Sequence, residues 1–292
     1  MSTIFGGALH AGLSGLEVAE HHLELGEGIV LRKTFAHMFA PFMLAFSPAE
    51  IGKPHPGPWK AARGGFGFDV TTELYIPADI ETRFGSKIGV AKTLLFLLRL
   101  GVNPATTLPV FANASFSSLA SRSDSDVLLQ PYEVEPRHFP LGVIGGVATE
   151  AAATWVKERW QLAYKLIEQH ADFALAVDAL DSGQFVRHSA LTLVSLWAAL
   201  EALFSPSTSE LKFRLSALIA AYLEAPGASR ISKQKAIAKL YDKRSAAAHG
   251  KPTHEPQHLL ESFNLLREVI TKMLDDGYVP TKDQLEKLLF GA

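Results

Sequence analysis

The stretch Lys239–Pro252 reads K-L-Y-D-K-R-S-A-A-A-H-G-K-P and sets Arg244 five positions before His249, with a glycine directly after the histidine. Arg is always charged and grips a phosphate through two parallel hydrogen bonds. His is the side chain best suited to exchange a proton near neutral pH. A guanidinium that holds a phosphodiester beside an imidazole that moves a proton is a minimal kit for cleaving RNA. The RNA supplies its own 2′-hydroxyl nucleophile, so the chemistry requires neither a metal-bound water nor a cofactor.

Five residues correspond to about 140° around an α-helix, so the pair does not stack on one face of a regular helix. The predicted helix over Ser232–Ala248 ends at Gly250, a C′ glycine, with Pro252 beyond. His249 falls in its last turn, where the unwinding chain lets the ring swing toward Arg244 and the helix carbonyls favour a protonated imidazole. Between Arg230 and Lys251 there are seven basic residues against one acid, Asp242. Lys235, Lys239 and Lys243 recur at helical spacing and predict a local basic stripe, which Lys251 extends.

The chain around this segment predicts helices throughout. Thr149 caps a helix whose face carries Trp155, Leu162, Leu166 and Ile167, and a second helix covers Phe173–Leu180 before the D-S-G turn. Gln184–Phe204 is apolar nearly all round and predicts the central buried helix. Its single carboxylate, Glu201, needs a partner, for which Arg214 and Arg244 are candidates; it is also placed to orient Arg244 or His249. Ser207-x-x-Glu210 has capping-box spacing for a helix running to Leu223. Pro256 suits the first turn of a helix to Leu274, and Thr281-x-x-Gln284 precedes a last short one.

Three blocks of this region, taken in order, resemble the Apea-like branch of the HEPN domain family. They are L-W-A-A-L-E-A-L-F-S-P (Leu196–Pro206) with Glu201, E-L-K-F-R-L (Glu210–Leu215) with Lys212–Arg214, and the R-x4-H-G end at Arg244–Gly250. The best-matching core is about 185–277. The resemblance implies an all-α helical bundle that dimerises and brings two R…H helices over a shared cleft. It implies metal-independent RNA cleavage in stress response or anti-phage defence, with an antitoxin or a trigger-sensing partner. On that pattern Arg244 and His249 are the catalytic pair, Ser245 and Glu201 position them, and Lys235, Lys239, Lys243, Lys251 and Arg214 bind RNA. Ser245 stands where many active members carry Asn, Asp or His, and its hydroxyl can donate a hydrogen bond there. A non-catalytic HEPN module that binds RNA, a nucleotide or a partner protein is the alternative.

The first half differs in texture. Short apolar runs alternate with Gly and Pro, and His22–Leu31, Val70–Ile76 and Val127–Val134 predict strands. Gly52–Gly67 predicts a surface loop, Ser86–Leu100 has helical spacing, and Gly142, Gly145 and Gly146 suit a connection between domains. The expected architecture is an α+β domain of unassigned role over 1–148 and a helical domain over 149–292.

With 292 residues, 48% apolar, 20% charged and no cysteine, the chain can bury a core without disulfides or thiolate metal sites. The formal charge of −2 excludes nucleic-acid binding through bulk charge and leaves only the local stripe. No secretory leader is visible, and Lys92 and Arg99 interrupt the most apolar stretch, so a cytoplasmic protein without a membrane span is expected. His254-Glu255-Pro256-Gln257-His258 spells H-E-x-x-H, but Pro256 disfavours helix at Glu255, so the two histidines do not share a helix face and no zinc site is expected. Arg63-Gly64-Gly65, a single RGG element, reads as a turn.

Overall fold

A computed structural model describes residues 6–123, 126–139, 146–204, 210–250, 253 and 255–291, with 40, 41 and 66 described by backbone alone. An antiparallel sheet region is followed by a helical C-terminal region. The chain divides into two compact units, Met1–Ala91 with Thr106–Val134 and Gly146–Ala153, and Lys92–Ala105 with Glu135–Gly145 and Thr154–Ala292.

The first unit is built on strands β1 (Leu9–Ser14), β3 (His22–Gly26), β4 (Ile29–Ala45), β5 (Trp59–Ile76), β6 (Thr107–Ala112) and β7 (Leu129–Pro131). They order as β3-β4-β5-β1-β6-β7, every neighbour antiparallel, while β2 (Glu17–Val18) pairs in parallel with β8 (Val147–Ala148). Helices α1 (Ile80–Phe84) and α2 (Lys87–Gly101) follow β5. In β3 the side chains alternate, Leu23 and Leu25 inward and His22 and Glu24 outward, the period of a half-buried strand.

Three expectations, two of strands and one of a loop, change here. His22–Leu31 is not one strand but a hairpin, because Glu27 and Gly28 take φ of 53° and 72° and close a two-residue loop. Such loops require left-handed backbone at both central positions, and a glutamate first does not advertise it. The Gly52–Gly67 loop ends at Pro58; Trp59 already opens β5, and Arg63-Gly64-Gly65 forms a bulge inside it, with Gly64 and Gly65 at φ 110° and 123°. Of Val127–Val134, Leu129–Pro131 forms β7 against β6, and the Tyr132 and Glu133 N–H groups continue the contact by donating to the Pro109 and Leu108 carbonyls at 2.9 and 3.0 Å.

Buried in this sheet is Glu73, 1% exposed, on β5. His10 Nδ1 donates to its Oε1 at 2.9 Å, and Ser115 Oγ and the Phe116 N–H donate to Oε2, both at 2.8 Å. Arg32 Nη1 lies 3.5 Å from Oε1. Burial is the largest single influence and opposes ionisation, but these hydrogen bonds together outweigh it and hold the carboxyl below the ordinary glutamate range. Nearby, Gly12 of β1 lies against a cluster of Val70, Val110, Ala112 and Phe116; a Cβ there would meet the Phe116 ring at 2.8 Å and Val70 at 3.0 Å.

The second unit comprises the second half of α2 with α3 (Glu150–Gln169, from Thr154 on), α4 (Ala171–Ser182), α5 (Ser189–Phe204), α6 (Leu211–Leu223), α7 (Ala228–Ala248), α8 (Pro256–Asp276) and α9 (Lys282–Phe290). Thr149 Oγ1 accepts the Ala152 N–H at the start of α3. The buried stripe of α3 runs through Val156, Trp160, Ala163 and Leu166, with Trp155 beside it against Gly101. The expected face is thus rotated, because Trp160 outweighs Leu162 and Ile167 in packing area. The central helix starts at Ser189, after a 3₁₀ turn over Gly183–Phe185. The Ser207 half of the expected capping box lies outside the described residues; α6 begins at Leu211, after Glu210 in left-handed backbone at φ 53°. The Thr281/Gln284 box forms, with the Thr281 N–H donating to Gln284 Oε1 at 2.8 Å. Among the described residues, no helix is long and apolar enough to cross a membrane.

Gly12→Ala is expected to cost about 1–3 kcal/mol through overpacking, measured as a lowered urea midpoint. Glu73→Gln tests the polar network. The lowered pKa means that Glu73 stabilises the fold above the ordinary glutamate range and that this contribution fades as pH falls through its folded value. The wild-type chain should therefore lose its advantage over Glu73→Gln on acidification, read from paired melting curves at neutral and acid pH.

Candidate functional site

Helix α5 buries Leu193, Leu196, Trp197, Leu200 and Leu203, which fix it inside the helical unit and leave Glu201 half-buried along its side. Helix α7 is anchored by Ile237 and Tyr241, one turn apart. The Tyr241 ring meets Trp197 edge-on, centroids 5.3 Å apart at 88°. One turn further along each helix, the aromatic contact gives way to a charged one. Arg244 Nη2 donates to Glu201, 3.1 Å from Oε1 and 3.2 Å from Oε2. Of the two arginines left open by the sequence, Arg244 is the partner.

Tyr241 serves both layers, since its hydroxyl donates to Glu201 Oε1 at 3.1 Å and its ring lies 5.4 Å from the Arg244 guanidinium carbon. Burial, and then the adjacent Glu201 charge, push the Tyr241 phenol up, so it stays protonated and a donor. The ladder continues into α8: Trp197 Nε1 donates to Ser262 Oγ at 3.1 Å, and Ser262 Oγ donates to the His258 carbonyl at 2.8 Å. Tyr241, Trp197 and Ser262 are the participants that a search for catalytic residue types passes over. Their signal is helix-turn spacing, Trp197 four before Glu201 and Tyr241 three before Arg244.

The Arg244 and Glu201 side chains keep 20% and 23% of their surface exposed, so the pair is partly desolvated. Arg244 Nε is buried without a hydrogen-bond partner, one nitrogen of the fork held back from Glu201. His249, by contrast, is exposed. It is the C-cap of α7 at φ −91°, its N–H donates to the Ser245 carbonyl at 3.2 Å, and Gly250 follows at φ 71° with its N–H on the Ala247 carbonyl. The expected helix end with its C′ glycine is present. Ser245 is half-buried within the last turn.

The cations around the pair divide by role. Lys235 and Lys239 on α7 and Arg214 on α6 are exposed. Lys243 is half-buried and reaches the Thr253 carbonyl at 3.4 Å, tying down the chain beyond α7. Lys251 lies outside the described residues. Lys212 is 2.7 Å from Asp242, so the one acid of the basic segment is engaged by a neighbouring helix. Arg230 and Lys233, two of the seven basic residues of this segment, are structural: Arg230 donates to the Glu224 and Leu288 carbonyls, at 2.9 and 3.1 Å, and Lys233 bridges Glu224 and Glu268.

The H-E-x-x-H segment has the geometry its proline predicts. Pro256 opens α8, and Glu255 precedes it in extended backbone, φ −104° and ψ 164°. His258 is spent on a capping box, its Nδ1 accepting the Glu255 N–H at 3.0 Å, while His254 lies outside the described residues. Among the described residues, no group of three or more His, Asp or Glu side chains is placed to hold a metal ion.

Compared with known proteins, the chain matches no family model, no curated protein and no solved structure.

Breaking a partly buried ion pair leaves one desolvated charge, here at a cost of about 1–3 kcal/mol, below that of a fully enclosed pair because water still reaches both side chains. Glu201→Gln and Arg244→Met are each expected to lower stability, and the double variant to lose less than their sum. A double-mutant cycle by urea denaturation checks the coupling. Tyr241→Phe removes only the hydroxyl bond and should cost about 0.5–1.5 kcal/mol, with the stacking on Trp197 retained.

Proposed function

We propose that this chain is a metal-independent endoribonuclease of the HEPN type, with Arg244 and His249 as its working pair. The observation that supports the reading is the pairing of Arg244 with Glu201 at the end of α7, five positions before an exposed histidine at the helix C-cap. A guanidinium held in one orientation is prepared to receive a phosphodiester at low entropic cost. The exposed imidazole beyond it is free to accept the 2′-hydroxyl proton or to return one to the leaving 5′-oxygen. Glu201 positions Arg244, Ser245 lies between the two functional side chains in sequence, and Lys235, Lys239, Lys243, Lys251 and Arg214 contribute positive charge along the RNA. The order of the blocks around Glu201, Lys212–Arg214 and Arg244–Gly250 supports the same family. It extends the proposal to a homodimeric cytoplasmic protein acting in stress response or defence, under an antitoxin or a trigger-sensing partner.

One observation favours a second reading. Glu201 already neutralises Arg244, so an incoming phosphate competes with a carboxylate whose oxygens lie 3.1 and 3.2 Å from the guanidinium Nη2. In a non-catalytic module the pair would hold the helix end together, and RNA would bind through the exposed cations alone.

The experiment is cleavage of mixed single-stranded RNA in the presence of EDTA. Wild type is expected to leave 2′,3′-cyclic phosphate ends, and His249→Ala to lose at least about 100-fold in rate. The exposure of His249 keeps this variant folded, whereas Arg244 variants also disturb the ion pair. Intact RNA bound with strong salt dependence would instead establish the binding module. No cleavage and no binding by wild type would end both.

A further inference from the structure

The hairpin β4–β5 outruns the sheet that carries it. The neighbour β3 pairs with β4 only as far as Arg32, and β1 pairs with β5 only as far as Thr72. Beyond these points β4 and β5 continue as partners of each other, from Ala36 against Val70 to Ala45 against Trp59. Ala36 and Met38 still pack on the Val70–Phe116 cluster. From Phe39 to Ala45, a reach of about 20 Å, no third strand pairs with them among the described residues.

An unsupported two-stranded ribbon should be polar on both faces to persist in water. This one is apolar: Phe39-Ala-Pro-Phe-Met-Leu-Ala-Phe46 contains no polar side chain. Phe35, Phe39, Phe42 and Phe46 are 70%, 63%, 61% and 66% exposed, and Met43 and Trp59 about as open at 53% and 50%. Strand alternation places Phe35, Phe39, Met43 and Trp59 on one face of the ribbon and Phe42 and Phe46 on the other. With large side chains of about 150–250 Å² each, the first face alone presents on the order of 450 Å² of apolar surface, in the upper part of the roughly 300–600 Å² of the largest patch on an ordinary monomer and more than half of the ~800 Å² that each partner buries in a standard interface.

We infer that the β4–β5 arm is a self-association element, through which two copies of this chain bury their arms face to face. The charge pattern selects this occupant. Glu50 is paired with Lys53 at 2.5 Å and Asp69 with His37 at 2.8 Å, so Lys60 and Arg63 are the other formal charges of residues 35–69. Two such near-neutral arms meet with little repulsion, while two cations are fewer than the clusters of about four to eight that hold a chain on an anionic membrane. A lipid core would also strand the unpaired backbone groups of a two-stranded ribbon. The packing is by faces rather than by strand addition. Pro41 interrupts the donor row of β4, and the Gly64–Gly65 bulge breaks the row of β5, the two devices that blunt an edge. The inference is independent of the ribonuclease reading.

Sedimentation velocity of the full chain should show a monomer–dimer equilibrium at low-micromolar concentration. Phe39→Glu/Phe42→Glu is expected to weaken it by at least about tenfold with unchanged far-ultraviolet circular dichroism, since both rings are exposed. Because the chain has no cysteine, Met43→Cys supplies a second readout that leaves the apolar face in place: mild oxidation should link two chains into a covalent dimer. A wild type that stays monomeric with no crosslink overturns the proposal, as does a Phe39→Glu/Phe42→Glu variant as dimeric as wild type. Flotation of the monomeric chain with phosphatidylcholine–phosphatidylserine vesicles, lost in the same variant, would assign the arm to a lipid surface and also overturn it.

Discussion

A carboxylate set into an apolar helix must find a counter-charge, and the helical unit is arranged around how Glu201 finds one. Its neighbours one turn back are large and buried, so α5 cannot rotate to bring the acid into water. The partner has to come from another helix at a fixed height. Arg244 supplies it, and Tyr241 secures the same oxygen from one turn below. Because Tyr241 also stacks on Trp197, the aromatic contact and the ion pair set the position of α7 along α5 together. An apolar contact alone tolerates sliding; hydrogen bonds to both oxygens of one carboxylate do not.

Helix ends with their own local chemistry were readable from the residues. Gly250 after α7, Pro256 at the start of α8 and the Thr281/Gln284 box before α9 each act within one turn, so a few adjacent residues decide them. What escaped was decided at a distance. Glu201 offered two arginines as partners, and only the packing of α5 on α7 selects between them. The α3 stripe, the Glu27–Gly28 hairpin and the strand inside Gly52–Gly67 all depend on what lies opposite in space. A Gly-rich segment reads as loop until a long partner strand such as β4 claims it.

The same distinction separates the two halves of the candidate site. The arginine belongs to the packed interior of the unit and contributes to its stability, whereas the histidine hangs on the last turn and contributes nothing of the kind. Substitution of the arginine therefore disturbs the fold, and substitution of the histidine does not. The sheet unit shows a related contrast, with the Glu73 carboxylate enclosed and large apolar side chains of β4 facing out.

Helix α7 is moored at both ends by different means. At its start, Arg230 reaches the Glu224 carbonyl, directly after α6, and the Leu288 carbonyl in α9. Near its finish, Arg244 is clasped by Glu201. Between these moorings α7 is continuous helix with Ile237 and Tyr241 buried, and regular backbone ends only at the His249–Gly250 turn. The guanidinium is thus set by packing, whereas the imidazole sits where the helix gives way to loop.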